Sequence, residues 1–467
     1  MAIILHTEPT TFKLLPSLLP EIDVHKSPPI DTGVQVVLRW GVTEGTDTAT
    51  LVLNRAQAIR NMARMNEFFE INRIPYSSSG TLYYRKYRFY MFDMTLVRIL
   101  RKEIGQRNVH DVSWSESKEA RDGSILAART LHVLGLDFGL VELGVDTRGR
   151  QYIVGVEAGP RLTKRLAQAY AEPIRKRLRE AELRQTMPIF QKANPAYLEK
   201  IVSIGADPEF MLRDGRTGRL IMASRFFPRD GLVGCDARFV KGAVSGYPLA
   251  ELRPEPSYSP LQLVENIRIT MNKALRLAPY SNVQWRAGSM PFGKFPIGGH
   301  VHFVGVPLSG QLIRVLDNYL AVPLLLLEEP STARRRRKKY GYLGDFRHKE
   351  HGGFEYRTPA SWLVSPQVTK AVMCLAKVLA SEYQLLTQDL FLLPSAQEAF
   401  IAANREYFVP HFASIWSELS KTSTFKLYAA DLEIIETMVK GQLTWNERAD
   451  IRRTWELSIP RGRVYRP

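Results

Sequence analysis

Cysteine is scarce in this chain of 467 residues, which holds two copies, Cys235 and Cys374, far apart in the sequence. The pair lacks the spacing of a metal site, and two cysteines cannot build a disulfide-rich secreted scaffold. Such a count is typical of a protein kept in a reducing compartment. Hydrophobic residues make up 45% and charged residues 24% of the chain, which excludes a mainly disordered or low-complexity protein.

Long apolar runs are also lacking. The N-terminus, MAIILHTEPTTF, has too few apolar residues for the core of a secretory signal. The longest strongly apolar stretch, LAVPLLLL at Leu320–Leu327, ends at Glu328 and Glu329 and is too short to span a bilayer. We therefore expect a soluble, cytoplasmic protein that has no membrane partner.

Negative charge is in deficit, since 64 Lys and Arg face 47 Asp and Glu and give a net charge of +17. This balance predicts an anionic partner: nucleotide phosphates, nucleic acid or an anionic surface. The densest basic run is RRRRKK, Arg334–Lys339, and three interpretations of it stand. It is a solvated loop, a contact to ATP phosphates or an acidic substrate, or a nucleic-acid contact, although no DNA- or RNA-binding motif accompanies it.

The length predicts two to four domains, and the clearest boundary is a highly charged stretch at residues 172–200. Its pattern is helical up to Gln185, and Pro188 and Pro195 then interrupt it. We therefore predict four segments along the chain. They are a smaller α/β domain at 1–185, a linker at 186–200, a larger domain at 201–395 and a helical C-terminal extension at 396–467.

The larger domain alternates strand-like runs with two amphipathic helices, PLQLVENIRITMNKALRLA and PQVTKAVMCLAKVLASEYQLL. The first helix places Leu261, Val264, Ile267 and Met271 on one face. Strands that pair before helices predict an α+β domain on a largely antiparallel sheet. The strand-like runs are Ile201–Leu212, Leu220–Ala223, Leu249–Leu252, Val283–Ala287, His300–Val306 and Phe354–Thr358.

Four of these runs each carry two ionisable residues at alternate positions. A strand aims alternate side chains at one face, so His300 and His302 of GGHVHF would lie about 6.6 to 6.8 Å apart on one side. The two glycines before them allow another group to approach closely. Carboxylates combined with imidazole favour Mg²⁺ or Mn²⁺ over a thiol-rich zinc site. The other pairs are Asp207 with Glu209, Glu251 with Arg253, and Glu355 with Arg357.

Each pair alone has a commoner explanation. An Asp-x-Glu pair is usually a solvated face, a His-x-His pair is more often structural or exposed, and a Glu-x-Arg pair is usually a cross-strand ion pair. Their joint occurrence on strands next to Gly-Gly is what favours a divalent-metal site.

Five ordered motifs, GADPEF, ELRP, GGHVHF, YGYLGDFR and EYRTPASWL, resemble those of the phage-type carboxylate–amine ligases. These enzymes belong to the glutamine-synthetase/glutamate–cysteine-ligase superfamily, and the resemblance covers about residues 200 to 390. It implies a glutamine-synthetase-like antiparallel half-barrel with helices outside. It also implies that this half-barrel holds ATP and two or three Mg²⁺ or Mn²⁺ ions.

Carried over residue by residue, the resemblance implies three kinds of role. His302 would be a further metal ligand or touch the nucleotide, together with Arg347, Arg357 and Lys339. Arg253, Arg347 and Arg357 would hold phosphoryl or carboxylate oxygens during catalysis, because a guanidinium matches both in bidentate fashion. The metal ligands would be Asp207, Glu209, Glu251, His300 and Glu355.

The first domain resembles ATP-grasp ligases in two stretches, RKYRFYMFDMTLVRILRKE from Arg85 and LGLDFGLVELGVDTRGRQYIVGVEAGPRL from Leu134. The metal glutamate of that family falls at Gly155 and its asparagine at Glu157. Two expectations stay open here, an active ATP-grasp-like domain or a degenerate one that binds a substrate or carrier. Glu142 and Glu157 are its candidate residues.

These observations predict an ATP- and Mg²⁺-dependent ligase that joins a small-molecule or peptide carboxylate to an amine through an acyl phosphate. Two alternatives remain: a metal-dependent ATP phosphotransferase, and a nucleic-acid- or virion-associated binding protein with a degenerate ligase site. The resemblance also implies a phage-encoded protein that acts in the host cytoplasm, and it leaves the oligomeric state open.

Overall fold

The computed structural model describes most of the chain as two compact units. The first unit comprises Met1–Pro195 and Leu390–Gln397, and the second comprises Ala196–Asp389 and Glu398–Pro467. The described residues are 2–5, 9–21, 23–25, 37–40, 51–52, 54–77, 82–193, 201–236, 245–349 and 352–466.

The first unit opens with a four-stranded parallel sheet, in which the strands lie in the order β2-β1-β3-β4. Three helices accompany it, and a 3₁₀ turn at Met62–Arg64 joins the last two. The bounds are β1 Ala2–Leu5, α1 Pro9–Leu18, β2 Asp23–His25, β3 Val37–Trp40, β4 Leu51–Val52, α2 Ala56–Asn61 and α3 Met65–Asn72.

A five-stranded antiparallel sheet with the order β7-β6-β5-β8-β9 forms the rest of this unit. Helix α4 begins after Ser117, whose side chain accepts a hydrogen bond from the Ala120 N–H, and ends at Gly135 with φ of 78°. A Cβ at Gly123 would lie 2.6 Å from the Phe89 ring, so this glycine lets α4 pack closely on β5. The bounds are β5 Arg85–Phe92, β6 Thr95–Glu103, β7 His110–Asp111, α4 Lys118–Leu134, β8 Phe138–Val145, β9 Gln151–Glu157 and α5 Lys164–Ala193.

Helix α5 is longer than the sequence predicts. The pattern placed a helix end at Gln185, whereas α5 continues through Pro188 to Ala193, so the predicted end is wrong. A proline weakens a helix by removing one hydrogen bond, but it does not always end the helix. Residues 194–200, which include Pro195, lie outside the described residues.

The second unit is built on an eight-stranded antiparallel sheet with β10 at its centre. The main path is β12-β13-β10-β15-β17-β16, and β11 and β14 also pair with β10. Because neighbours cover β10, nearly all of its residues are buried. The predicted α+β class with antiparallel sheets is confirmed. The bounds are β10 Ser203–Asp214, β11 Leu220–Ile221, β12 Val233–Cys235, β13 Leu249–Leu252, β14 Val283–Arg286, β15 Gly299–Val304, β16 Phe346–His348 and β17 Phe354–Tyr356.

Helices accompany this sheet, and the C-terminal region is helical as predicted. Helix α6 buries Ile267 and Met271, but Leu261 is 44% exposed, because Leu263 takes the inward position in the first turn. The helices are α6 Pro260–Leu277, α7 Gly310–Leu316, α8 Val322–Leu327, α9 Pro330–Arg337, α10 Pro366–Glu382, α11 Pro394–Ile401, α12 Arg405–Leu419, α13 Ser423–Leu427, α14 Ala429–Lys440 and α15 Ile451–Thr454. Shorter turns of this unit lie at Ala223–Arg225, Asp317–Ala321 and Tyr383–Leu385. The turn at Leu390–Leu392 and the part of α11 up to Gln397 are assigned to the first unit.

The most apolar segment of the chain lies in the core of the second unit. In the part of the chain that the structure describes, Gly310–Leu327 alone is long and apolar enough to cross a membrane, and 94% of it is buried. Asp317 within it is fully buried and accepts hydrogen bonds from the Gly344 N–H and the Tyr356 hydroxyl. Burial of this extent is what a core helix of a globular protein shows.

The RRRRKK run is not a solvated loop. Residues up to Arg337 belong to helix α9, and Arg336 and Arg337 are 0% and 1% exposed. Arg336 donates three hydrogen bonds of 2.7 to 2.8 Å to the carbonyls of Ile297, Thr358 and Pro359. Successive residues of a helix point in different directions, so some members of a run of like charges face the protein interior. Such a buried cation is tolerated where hydrogen-bond acceptors lie next to it.

Candidate active site

The strand register of the second unit brings the predicted pairs together. Asp207 on β10 lies opposite His300 on β15, and His302 lies opposite Glu355 on β17. On the other side of β10, Glu209 lies opposite Glu251 on β13. Because side chains at alternate positions of a strand share a face, the carboxylates and imidazoles converge on one side of the sheet.

The distances show two overlapping groups of metal-type donors. His300 Nδ1 lies 2.8 Å from Asp207 Oδ1 and 3.2 Å from Glu355 Oε1, and His302 Nε2 lies 3.0 Å from Asp207 Oδ2. Among the described residues, the donor atoms of Asp207, Glu251 and His300 lie within 4.8 Å of one another. Those of Asp207, His302 and Glu355 do the same. Carboxylate oxygens beside imidazole nitrogens at this spacing fit a Mg²⁺ or Mn²⁺ ion.

Glu209 belongs to the same region but to neither group of donors among the described residues. Its carboxylate is buried and accepts a 2.6 Å hydrogen bond from the Gly298 N–H. Burial raises the pKa of Glu209 to about 7, even though the charge of His300 lowers it. This carboxyl therefore keeps the chain before His300 in place.

Gly298 makes room for the His300 ring. A Cβ at Gly298 would lie 2.2 Å from His300 Nε2, and a Cβ at Gly299 would lie 2.5 Å from the Ala360 carbonyl. The two glycines before the histidines thus allow close packing against the His300 ring and the backbone at Ala360, as the sequence predicted.

We expect Gly298→Ala to weaken Mn²⁺ binding by at least about tenfold, because the displaced ring can no longer face Asp207. Isothermal titration calorimetry with Mn²⁺ measures the change. Gly159→Ala is the control, since its added methyl would meet nothing within 4 Å. An unchanged Mn²⁺ dissociation constant in Gly298→Ala would contradict the role of this glycine.

The predicted cations take up different positions. Arg253 pairs with Glu251, and its Nη1 also donates to the carbonyls of Arg229 and Gly231 at 3.1 Å. It therefore anchors the end of the strand that carries Glu251. Lys339 is exposed and its ammonium donates to the Lys294 carbonyl at 3.5 Å, so the structure does not bring it to the carboxylates.

Arg357 and Arg347 both reach Glu355. Arg357 Nε lies 3.1 Å from Glu355 Oε1, and Arg347 Nη1 lies 3.8 Å from Oε2. Arg357 is also held by the Tyr340 hydroxyl at 2.6 Å and by Asp345 at 3.8 Å, whereas the Arg347 side chain is 57% exposed. One arginine is fixed at the cluster and the other lies at its edge.

Two residues of the cluster were missed from the sequence, Lys349 and Tyr340. The Lys349 ammonium lies 2.6 Å from Glu355 Oε2, and the Tyr340 hydroxyl lies 2.7 Å from His300 Nε2. The strand period could have indicated Lys349. Arg347 lies opposite Glu355 in a hairpin with a Gly-Gly turn, and Lys349, two residues after Arg347, faces the same side of the sheet. Tyr340 follows the end of helix α9, where no helix or strand periodicity indicates the direction of its side chain.

The electrostatics of the cluster follow from burial and from close opposite charges. Burial alone would raise the pKa of Asp207, but His300 and His302 hold it well below its usual value. Burial and the Asp207 charge raise the pKa of Glu251. Burial would lower the pKa of His300, but Asp207, Glu209 and Glu355 raise it to about 9.

Glu355 shows the same competition. Its burial and the Asp207 charge would raise its pKa, but His300 and Lys349 lower it below the usual value. Nearby cations thus favour the ionised form of Asp207 and Glu355, which is the form that binds a divalent ion, whereas burial favours the protonated form of Glu251 and Glu209.

The candidate residues of the first unit form no comparable cluster. Glu142 on β8 pairs with Arg88 on β5 at 2.6 Å, and Glu157 at the end of β9 is exposed. A Cβ at Gly155 would lie 3.6 Å from the Glu142 carboxylate, so Gly155 leaves space beside Glu142 and adds no ligand. Groups of three metal-type donors within the described residues lie in the second unit.

Comparisons with known proteins gave no match among curated sequences. Solved structures similar to parts of the chain include the ATP-grasp ligase PsnB complexed with a minimal precursor, at 10% identity over 38% of this chain and 98% of that one, with a TM-score of 0.29. A bifunctional glutathione synthetase from Pasteurella multocida gives 12% identity over 57% of this chain and 49% of that one, with a TM-score of 0.36. The macrocyclase MdnC bound with precursor peptide MdnA, from Microcystis aeruginosa, gives 8% identity, 37% and 98% coverage and a TM-score of 0.28. TM-scores this low establish neither a shared fold nor a shared activity.

A family model gives the decisive match. It covers residues 204–457, more than half of the chain, and carries the description "Phage phiEco32-like COOH.NH2 ligase-type 2". The match begins in β10, which holds Asp207, and extends past residue 390, where the predicted resemblance ended, into the C-terminal helices. It confirms the predicted family and the enzyme class, an ATP-dependent carbon–nitrogen ligase. The chain belongs to the phage phiEco32-like COOH.NH2 ligase-type 2 family.

Proposed function

We propose that the second unit is a Mg²⁺- or Mn²⁺-dependent ligase that forms an amide from a carboxylate and an amine at the expense of ATP. The observation that carries this proposal is the convergence of metal-type donors into one cluster on a face of the antiparallel sheet, formed by Asp207, Glu251, His300, His302 and Glu355. We propose further that this sheet is the half-barrel of the glutamine-synthetase superfamily. The family match supports the joining of a carboxylate to an amine, and the antiparallel sheet with helices beside it is consistent with the half-barrel.

The metal ligands in this proposal are the two overlapping groups of donors. Divalent ions would be held by Asp207 together with Glu251 and His300, and by Asp207 together with His302 and Glu355. Glu209, buried behind them, would support the first of these sites. When bound, the ions supply positive charge that neutralises phosphoryl oxygens and aligns them for transfer.

The reaction proceeds in two steps. An oxygen of the substrate carboxylate attacks the γ-phosphorus of ATP, the bond to the β-phosphate oxygen breaks, and an acyl phosphate and ADP result. The nitrogen of the amine then attacks the acyl carbon, loses a proton and expels inorganic phosphate. The first step makes a good leaving group from a carboxylate oxygen that is otherwise a poor one.

The cations of the site suit the charge that these steps carry. Arg357 is held by Glu355, Asp345 and Tyr340, so its guanidinium is oriented before a substrate arrives. Arg347 lies exposed at the edge of the cluster and is free to follow a phosphoryl or carboxylate oxygen. Tyr340 contacts both His300 and Arg357 and therefore links a metal ligand to a phosphate-binding residue.

The substrates are proposed as a small-molecule or peptide carboxylate together with an amine. The family name supports a phage-encoded enzyme, and we propose that it works in the host cytoplasm. The family's description names the two groups that are joined, a carboxyl and an amine.

A screen of amino-acid and peptide pairs for ADP release tests the proposal. A ligase releases ADP and phosphate only when both the acid and the amine are present, and the product mass equals their sum less one water. ADP release with one hydroxyl- or carboxyl-bearing compound alone would indicate a phosphotransferase instead. Binding to polyanions that falls steeply with salt, without ADP release from any pair, would overturn the proposal in favour of a binding protein.

A further inference from the structure

Lys349 places an ammonium among the carboxylates of the site. Its Nζ lies 2.6 Å from Glu355 Oε2 and 4.0 Å from Asp207 Oδ2. Glu355 and Asp207 both belong to the donor group that also contains His302. A positive charge of the protein thus sits against two of the oxygens that a divalent ion would use.

Two other cations that contact Glu355 are bound elsewhere as well, and Arg347 lies farther from it, at 3.8 Å from Oε2. Arg357 also contacts Tyr340 and Asp345, and the His300 ring also contacts Asp207 and Tyr340. The Lys349 ammonium, in contrast, has ion pairs with the two carboxylates, and its backbone N–H donates to the Gly353 carbonyl. Its side chain is 21% exposed, and the ammonium ends a flexible four-carbon stem that can turn toward solvent.

We propose that Lys349 is an internal counter-ion of the carboxylates of Asp207 and Glu355 and that a divalent cation displaces it on binding. The inference rests on the proposed function of the site, since it assumes that these carboxylates hold a metal. Without a metal the ammonium compensates two buried carboxylates that would otherwise repel each other. With a metal the ammonium moves out, because a second cation at 2.6 Å from a ligand oxygen opposes the ion.

Two consequences separate this role from simple structural support. First, Lys349 lowers the affinity of the site for divalent ions, because the ion must replace an existing ion pair. Second, Lys349 stabilises the metal-free protein more than the metal-bound protein. A residue that only supports the fold would change the stability of both forms alike.

Titration of metal-free protein with Mn²⁺, followed by calorimetry, tests the first consequence without any substrate. We expect Lys349→Gln to bind Mn²⁺ at least about tenfold more tightly than the wild type, because the competing ammonium is gone. Lys349→Arg keeps the charge and is expected to bind Mn²⁺ about as the wild type does. Lys370→Gln is the matched control: it also breaks a lysine–carboxylate pair, with Asp431 at 2.8 Å, but lies away from the donor groups.

Thermal unfolding with and without Mn²⁺ tests the second consequence and covers a variant that folds poorly. Lys349→Gln is expected to lower the metal-free unfolding midpoint, and saturating Mn²⁺ is expected to raise that midpoint by more than it does in the wild type. Equal or weaker Mn²⁺ binding by Lys349→Gln, in a wild type that does bind Mn²⁺, would overturn the role of Lys349 alone. Absence of Mn²⁺ binding in the wild type and in all variants would overturn the proposed metal site itself.

Discussion

Glu355→Gln is expected to abolish ADP release, with a loss of at least about 100-fold in kcat/KM, since changes outside the ligand set already cost 10- to 100-fold. Glu355 belongs to a metal-type donor group, and its two oxygens contact His300, Arg357 and Lys349. Glutamine keeps the shape of the side chain but loses the negative charge that the proposed metal ion would need from this ligand. Coupled measurement of ADP release with an active acid and amine pair gives the value.

The effect must come from lost chemistry and not from a lost fold. Glu382→Gln is the matched control, because Glu382 is also a buried glutamate of the second unit, and it accepts hydrogen bonds from Ser423 and Thr424 outside the donor groups. It is expected to keep most of the activity. Circular dichroism and the unfolding midpoint of Glu355→Gln show whether the fold survives. Turnover near the wild-type rate in Glu355→Gln would remove this residue from the mechanism.

The sequence predicted much of the candidate site because the information is local. A strand has a period of two, so the alternation in GADPEF, GGHVHF and EYR indicates which residues share a face. The predicted strand Leu249–Leu252 matches the structure, and Ser203–Asp214 differs from its prediction by two residues at each end. Strand pairing then brings the shared faces together, which the register between Asp207 and His300 shows.

The remaining features depend on contacts between distant parts of the chain. Arg336 looks in the sequence like one cation in a solvated run, but in the structure it joins carbonyls on both sides of the site, at Ile297 and at Thr358–Pro359. No local pattern indicates that the carbonyls of Ile297, Thr358 and Pro359 converge on one guanidinium. The direction of the Tyr340 side chain and the buried side of helix α9 could not be predicted for the same reason. Both depend on which distant residues pack against them.

Arg336 also connects the fold to the chemistry. The Ile297 carbonyl precedes the Gly-Gly-His stretch of β15, and the Thr358 carbonyl follows the β17 strand that carries Glu355. The Arg336 guanidinium therefore holds the backbone next to two strands, β15 and β17, whose side chains belong to the donor groups. A lysine cannot reproduce three hydrogen bonds in a planar fork, so the position requires arginine.

The neighbouring residue, Arg337, carries the largest expected effect on stability. Its two Nη atoms donate to both oxygens of Glu328 at 3.0 and 2.8 Å, and both side chains are 1% exposed. Arg337→Met leaves the Glu328 carboxylate buried without its cation, which costs about 3 to 5 kcal/mol. For a unit of this size, that corresponds to a fall of on the order of 10 °C in the unfolding midpoint, measured by differential scanning calorimetry.

Because the cost comes from an unpaired charge, removing that charge should recover most of the loss. Arg337→Met combined with Glu328→Gln keeps an acceptor for the Ser289 hydroxyl, which donates to Glu328 at 2.8 Å, and removes both charges of the pair. We expect its midpoint to return most of the way to that of the wild type. Arg334→Met in the same helix is the matched control, since Arg334 is exposed and donates to the Ala402 carbonyl at 2.9 Å, and its midpoint should hardly change. If the double variant is no more stable than Arg337→Met, the loss comes from packing of the arginine stem and not from the stranded carboxylate.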